Sequence, residues 1–518
     1  MEFQKVAEIV IIGAGPAGLS AAISAALAGA KPIVLDENQM PGGQLFKQIH
    51  KFFGSREHFA GRRGFEIGQT LLGAAKELNI PVHLETGVLG IFPGHQIVGL
   101  RNGKTFEIKA SRLILATGAR EKALAFPGWT IPGVMGAGAL QTMMNIHRVL
   151  PGRRILIIGA GNVGLIVAHQ ARLAGAEVVG VVEARDEISG YFVHAAKVLR
   201  IGVPIFLSHS IKSAYGREFV EDAEIVKLDE SGGQVQGSER CFRVDVVALA
   251  VGLLPQTELA QQAGCQLRYN AKLGGWIPEL SENMETSMPG IYVAGDLGGI
   301  EEATIAIEEG RLAGLSAAES LGYAPKDKEH QKAEIKSRLA ELRYLGEKKS
   351  LGLAASITGM ISECRPGHRD RSMRAATSKD NGPEILIECP EEIPCDPCEE
   401  VCPQGAIEVG SPITNLPRLR ERRCTGCGLC IASCPAQAIF LIDRSFSEDY
   451  ARLDLPYEEL PRPRKHQTVC LLDRGGKEIG KGQLIRTRLT KGFNKTAVVS
   501  VAVPQKIADS IRYIDCKD

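Results

Sequence analysis

Eight cysteines fall in two runs near the C-terminus: Cys389, Cys395, Cys398 and Cys402-Pro403, then Cys424, Cys427, Cys430 and Cys434-Pro435. The second run has the spacing CxxCxxCxxxCP without departure, which places four thiolates where [4Fe-4S] chemistry needs them. Where two such runs interlock, the fourth cysteine of each ligates the cluster of the other. That rule assigns Cys424, Cys427 and Cys430 with Cys402 to one cluster, and Cys395, Cys398 and Cys434 with Cys389 to a second. The gap Cys389-x5-Cys395 is wider than the usual x2, so a single cluster, or another fourth ligand such as Cys364, stays open for that set. Zinc is the competing metal, but zinc sites lack the Cys-Pro endings and the Ala-Ile strand starts seen at Ala406-Ile407 and Ala438-Ile439. Iron–sulfur centres move one electron at a time, so the next question is what feeds them.

Two glycine turns answer it. Gly13-Ala14-Gly15-Pro16-Ala17-Gly18 and Gly159-Ala160-Gly161-Asn162-Val163-Gly164 each follow an apolar run and precede an alanine-rich stretch. Such a turn lets backbone approach a pyrophosphate and frees helix N-terminal amides to bind it, while an acid at the end of the next strand accepts ribose hydroxyls. The acids are Asp36 and Glu183. The first copy reads as an FAD site, because Gly295-Asp296, far downstream at a strand end, supplies an aspartate for the ribityl chain. The second reads as a site for NAD(H) or for ADP/ATP, or as a turn that has lost its ligand. Glu183 favours NAD over NADP by repelling a 2′-phosphate, although Arg185 lies close by.

These features resemble the two-dinucleotide flavoproteins of the thioredoxin-reductase and glutathione-reductase type. The resemblance implies that Gly42-Gly43-Gln44 and Ala116-Thr117-Gly118 also line FAD, and that the second copy is the pyridine-nucleotide position. Disulfide reductases of that type place a redox dithiol beside the flavin; residues 1–240 contain no cysteine at all, and Cys241 and Cys265 are isolated. They read as ordinary buried thiols, and dithiol chemistry is excluded. A narrower resemblance lies in Ala116-Thr117-Gly118-Ala119-Arg120-Glu121 and Phe126-Pro127-Gly128-Trp129-Thr130-Ile131-Pro132-Gly133-Val134-Met135. That string is similar to the α subunits of heteromeric FAD-dependent amine and imino-acid dehydrogenases, the proline or hydroxyproline dehydrogenase, opine oxidase and hydrogen cyanide synthase group. It implies a partner flavoprotein of the D-amino-acid-oxidase type that oxidises the substrate, a further partner in the form of a small iron–sulfur subunit, and a hetero-oligomer. Many relatives carry a [2Fe-2S]-type module after the flavin domains, whereas this chain carries two [4Fe-4S] runs.

The elements needed to position these groups can be read coarsely. Strand–turn–helix units at Ala7–Ile12 and Arg154–Ile158 repeat about 146 residues apart, and Leu113–Ala116, Val246–Ala250 and Ile291–Ala294 are further apolar strands ending at glycine. The expected fold class is α/β: two Rossmann-like dinucleotide-binding domains, thioredoxin-reductase-like, followed by a ferredoxin-like 2[4Fe-4S] domain and a small β unit. The boundaries read as 1–133 with 253–325 for a discontinuous FAD domain, 134–252 for the inserted second domain, 326–383 for a linker that opens with a charged helical run (Lys326 to Lys349) and continues to the polar stretch Cys364 to Asp380, 384–445 for the ferredoxin domain and 446–518 for the β unit.

Composition constrains partners and compartment. The 518 residues hold 61 Lys plus Arg against 60 Asp plus Glu, a net charge of +1 that offers nucleic acid no basic footprint. Eight of 13 cysteines serve the metal runs and the rest show no disulfide framework, which fits a reducing cytoplasm. No apolar run reaches the roughly 20 residues of a membrane span, so membrane association would come through partners. The run Arg418-Leu419-Arg420-Glu421-Arg422-Arg423 reads as a solvated face that would also raise a nearby cluster's potential. His50 and His58 read as satisfied histidines, with a flavin-facing role as the alternative. No residue is singled out as a general acid or base. The function expected is electron transfer between flavin and [4Fe-4S] clusters in an amine or imino-acid dehydrogenase complex; the alternatives are an autonomous NADH:acceptor oxidoreductase and a nucleotide-holding scaffold.

Overall fold

The computed structural model describes residues 6–323, 325–343, 374–376, 383–420 and 423–516. The chain divides into two compact units, one built from 1–49, 63–122 and 252–344 and the other from 50–62, 123–251 and 345–518.

The first unit is organised by a seven-stranded sheet in which 82–83, 32–35, 6–12, 104–115, 96–101 and 86–92 lie in that order. Strand Lys104–Leu115 serves two pairings. Its first half runs antiparallel to Gln96–Arg101, and its second half runs parallel to Val6–Ile12 and to Ile291–Val293. The hairpin turn is Asn102-Gly103, with φ of 50° and 74°, the left-handed pair that matches strand twist in a two-residue loop. Helix Pro16–Leu27 starts with proline at its first turn and buries alanines, and its small side chains let helix Ala303–Ser320 come very close. A Cβ on Gly310 or Gly314 would lie 2.2 Å from Ala17 O or 2.1 Å from Ala21 O. Helix Lys328–Arg343, inside the stretch expected to be linker, docks on this unit through Ile335, Leu339 and Leu342 and pairs Arg338 with the fully buried Glu308 at 3.0 Å. The polar stretch that holds Cys364 lies outside the described residues.

The second unit contains a five-stranded sheet ordered 205–206, 177–182, 154–158, 246–249, 134–136, all neighbours parallel. A three-stranded antiparallel sheet, 209–215, 222–227 and 240–243, adjoins it in sequence. Strands from 384–445 and from 446–518, expected as separate units, instead lie in one eight-stranded sheet that runs 374–376, 384–387, 439–443, 450–457, 497–504, 478–488, 468–472, 513–515. The reason is that Ile439–Asp443 is apolar on both faces. Phe440 and Ile442 join one core with Ile155, Leu165 and Val198, while Ile439 and Leu441 join another with Ile431 and Cys434. Val498 and Val499 divide in the same way. One sheet thus separates the parallel-sheet layer from the cysteine module, and neither half could bury both its faces alone.

Candidate functional site

In the first unit the glycine turn is built by close approach. Gly13 has φ 108°, and a Cβ there would sit 2.2 Å from Ala116 O; a Cβ on Gly18 would sit 1.8 Å from Gly13 O. Gly15 differs, since nothing lies within 4 Å of its Cβ position and its φ of −77° is ordinary. Asp36, 6% exposed, accepts the Ala14 amide at 2.6 Å and the Asn38 amide at 2.8 Å. The Gly42 amide donates to Ala14 O at 2.7 Å, and a Cβ on Gly43 would meet Gly15 Cα at 2.9 Å. Gln44 follows in the short 3-10 turn Gly43–Lys47. Thr117 Oγ1 donates to Gln256 O at 3.1 Å, and Gly118 O accepts the Gln256 amide at 3.0 Å. Gly295 packs against Ala17, where a Cβ would lie 2.9 Å from the alanine Cβ. Burial pushes Asp296 up to about 6. Of the ten residues singled out for FAD, Asp36, Gly43, Thr117 and Gly295 meet the turn of Gly13, Gly15 and Gly18, which is closed to side chains at Gly13 and Gly18 and open at Gly15; Gln44, Gly118 and Asp296 are the chain neighbours of Gly43, Thr117 and Gly295. An open backbone turn with a buried acid beside it fits a pyrophosphate and a polyol chain.

The same geometry recurs at Gly159. A Cβ there would lie 2.3 Å from Ala250 O, and one on Gly164 would lie 2.0 Å from Gly159 O, while Gly161 meets only Ser189 Oγ at 3.6 Å. Glu183, 7% exposed, accepts from the Ala160 amide at 2.9 Å, from the Arg185 amide at 3.2 Å and from Ser189 Oγ at 3.2 Å. Gly190 repeats Gly42, its amide donating to Ala160 O at 3.0 Å. The string Phe126–Met135 is a structural strap. Gly128 has φ 89°, a Cβ there would lie 2.1 Å from Ala214 O, and Phe126 enters the core with Leu156 and Val247.

The cysteines separate into two sets. Cys402, Cys424, Cys427 and Cys430 line one pocket with Pro403 and Leu441. Burial raises the Cys389, Cys395 and Cys398 thiols, and Cys434 is the largest neighbouring charge for all three. Burial also raises Cys430, with Cys398, Cys424, Cys427 and Cys402 adding to it, so the sets adjoin at Cys398 and Cys430. Thiols crowded and buried this way resist ionising alone, and an iron core that takes up thiolates reverses that preference. Amides point at sulfur in both Cys-Pro endings: Ala406 N to Cys402 Sγ at 3.2 Å and Ala438 N to Cys434 Sγ at 3.5 Å. This donor set fits two [4Fe-4S] clusters. Among the described residues no three His, Cys, Asp or Glu side chains converge on the scale of a single metal ion.

Other expectations take a different form. Cys265 is buried and donates to Thr286 Oγ1 at 3.4 Å, but Cys241 is exposed, because its strand Arg240–Arg243 is the edge of the three-stranded sheet. His50 stacks on Phe52 and His58 accepts in a turn with Ser55. Arg418 is exposed and Arg420 pairs with Glu408 at 2.7 Å; Glu421 and Arg422 lie outside the described residues. Sequence reasoning missed Lys51, Lys197 and Arg200, which are buried and donate to main-chain carbonyls around Cys434. It also missed Glu309, whose Oε2 accepts the Gly295 amide. No local pattern marks them, since Lys51 lies 381 residues from its acceptor.

Residues 7–310 match the family described as Pyridine nucleotide-disulphide oxidoreductase, and residues 393–438 match the 4Fe-4S dicluster domain, a stretch that holds every assigned cysteine except Cys389. The chain is 32% identical over 433 residues to an opine oxidase subunit of Agrobacterium tumefaciens (strain Ach5), covering 79% of this chain and 80% of that one. It is 30% identical to hydrogen cyanide synthase subunit HcnB of Pseudomonas aeruginosa, covering 59% of this chain and 70% of that one. Among solved structures it is similar to L-proline dehydrogenase from P. horikoshii, with 26% identity and a TM-score of 0.51 over 65% of this chain and 59% of that one. The two matched regions imply FAD and [4Fe-4S] clusters as cofactors.

Proposed function

The chain belongs to the pyridine nucleotide-disulphide oxidoreductase family, as an FAD-dependent oxidoreductase related to a subunit of opine oxidase, and from that premise we propose that it is the electron-transferring FAD and iron–sulfur subunit of a heteromeric amine or imino-acid dehydrogenase. The observation that carries this reading is the pair of cysteine sets in a chain whose first 240 residues contain no cysteine. A flavin exchanges electrons in pairs or singly, and iron–sulfur clusters take them singly. The residues of this chain hold and orient those groups. Gly13, Gly15, Gly18, Asp36, Gly43, Gln44, Thr117, Gly118, Gly295 and Asp296 form the FAD cradle, and the eight cysteines ligate as two sets of four. Substrate oxidation falls to a partner of the D-amino-acid-oxidase type, with a small iron–sulfur subunit beside it, in the cytoplasm. No helix among the described residues is long and apolar enough to cross a membrane.

Purification of the native complex tests the reading. It requires a copurifying second flavoprotein, one FAD on this chain, and about eight irons per chain. A chain that is isolated alone and fully active with an amine substrate refutes it.

A second reading draws support from the Gly159 turn, whose geometry parallels the Gly13 turn: an NADH:acceptor oxidoreductase with Gly159, Gly161, Gly164 and Glu183 holding NAD. Rapid bleaching of the flavin by NADH under anaerobic conditions, without a partner, favours that reading. Nucleotide released by heat and identified by mass as ADP or ATP favours a resident adenine nucleotide.

A further inference from the structure

Three cations donate to the main chain on either side of one cysteine. Lys51 Nζ donates to Ala432 O, and to Phe493 O at 3.1 Å; Lys197 Nζ donates to Pro435 O at 3.0 Å; Arg200 Nη1 donates to Gln437 O at 2.9 Å. The carbonyls at 432, 435 and 437 bracket Cys434. All three side chains are 4–6% exposed, and water therefore screens them little. Burial pushes Arg200 down to about 10, with Glu388 and the Cys434 thiol acting against it. The wider surroundings add Arg474 and Arg512, both donating to Glu388, and the carboxylates Glu391 and Asp396 that face Cys389 and Cys395.

The other set is surrounded differently. Arg488 Nη1 donates to Cys427 O at 2.8 Å, but Arg488 is matched by Asp454 at 3.5 Å, a carboxylate with no exposure. The charges that raise the Cys424 and Cys430 thiols are those of other cysteines, and Arg423, next to Cys424, is exposed, so water screens it. A cluster bound by four thiolates is net negative, and one added electron makes it more so by one charge. Burial disfavours that extra charge, whereas cations fixed nearby favour it.

Resting on the two-cluster reading above, we propose that Lys51, Lys197 and Arg200 form a cationic clasp that raises the reduction potential of the cluster ligated through Cys434 above that of its neighbour. They act as positioning charges rather than ligands. In the loaded chain an electron would favour the cluster held through Cys434, and the cluster held through Cys427 would be the uphill partner.

The test is an anaerobic redox titration of the full chain with its clusters, followed by electron paramagnetic resonance with dithionite and mediators. The expected wild-type result is one cluster filling at least tenfold ahead of the other, equal to about 59 mV for a one-electron couple. In Lys197→Met that preference falls by tenfold or more through movement of one signal, Lys197→Arg restores it, and Arg488→Met moves the other signal. Lys51→Met gives the same answer if Lys197→Met does not load iron. Unchanged potentials in both methionine variants, or an equal shift of both signals, overturn the clasp. A chain with about four irons refutes the two-cluster reading instead. Cys434→Ser then shows whether those four irons sit in the Cys434 set: if they do, a potential that falls in Lys197→Met supports the clasp and one that stays overturns it, and if they do not, the clasp is overturned.

Discussion

The carboxylate of Glu309 accepts the backbone amide of Gly295 at 2.8 Å, one residue before Asp296. The same carboxylate receives Arg343 from the docked helix Lys328–Arg343. The turn that presents Asp296, proposed above to hold FAD, is therefore held from behind by a buried acid, and that acid is held by the helix Lys328–Arg343. Glu309→Ala leaves a buried amide without its acceptor, at a cost of about 1–3 kcal/mol. The expected outcome is a lower urea midpoint and FAD lost on desalting, with iron content unchanged; retention of FAD at wild-type level would remove Glu309 from the site.

Glu309 also sets a pH dependence. Burial raises it to about 7 against an ordinary value of 4.5, and Arg343 opposes the shift. A carboxyl that holds its proton in the folded state and loses it in the unfolded state makes stability fall as pH rises between those two values, and the effect is flat above and below them. Asp296, raised to about 6 by burial, acts with the same sign. The FAD-free chain is expected to lose on the order of 2 kcal/mol between pH 5 and pH 7 from Glu309, and Glu309→Gln flattens that slope because its amide cannot ionise. Urea denaturation at the two pH values measures it.

The glycines of the first turn are expected to separate fold from ligand. Gly15→Ala introduces a methyl with ordinary φ and no neighbour within 4 Å, so stability stays within about 0.5 kcal/mol. In the proposed FAD cradle that methyl would stand in the path of the pyrophosphate, so FAD content is expected to fall. Gly310→Ala does the reverse: its methyl would lie 2.2 Å from Ala17 O, and prying the helices apart costs about 1–3 kcal/mol. Thermal denaturation and flavin absorbance of the two variants should rank them in opposite orders.

What could be read from the sequence was what repeats at short range. Gly13 and Gly159 could be recognised because turn, helix and acid follow at fixed spacing, and Cys424 to Cys434 because four ligands fall within eleven residues. The sheet that joins 384–387 and 439–443 to the C-terminal strands could not, because residues 439–442 are uniformly apolar and nothing in such a run says how many partners it has. The helical run that opens the stretch 326–383 could be read, but its docking could not, since Ile335, Leu339 and Leu342 are sparse among charges that pair with Glu308 and Glu309 only after folding. Lys51, Lys197 and Arg200 were unreadable for the same reason. Their acceptors are backbone carbonyls hundreds of residues away, and a carbonyl has no sequence identity.

The two cysteine sets are expected to fail independently. Cys427 is exposed and Cys395 is largely enclosed beside Gly54, whose strand-like bridge to Cys395 and acceptance of the Asp396 amide at 3.1 Å tie that cysteine into the core. Cys427→Ser should therefore release about four irons per chain and leave the fold intact. Cys395→Ser should lose a similar number and also lower the unfolding midpoint, because Cys395 sits against the core that contains Ile393 and Ile431. Iron and acid-labile sulfide assays, read beside thermal denaturation, check both. Cys389→Ser decides the wide spacing: loss of four irons identifies it as a ligand, and full iron content shows that the Cys395 set is completed by some other group.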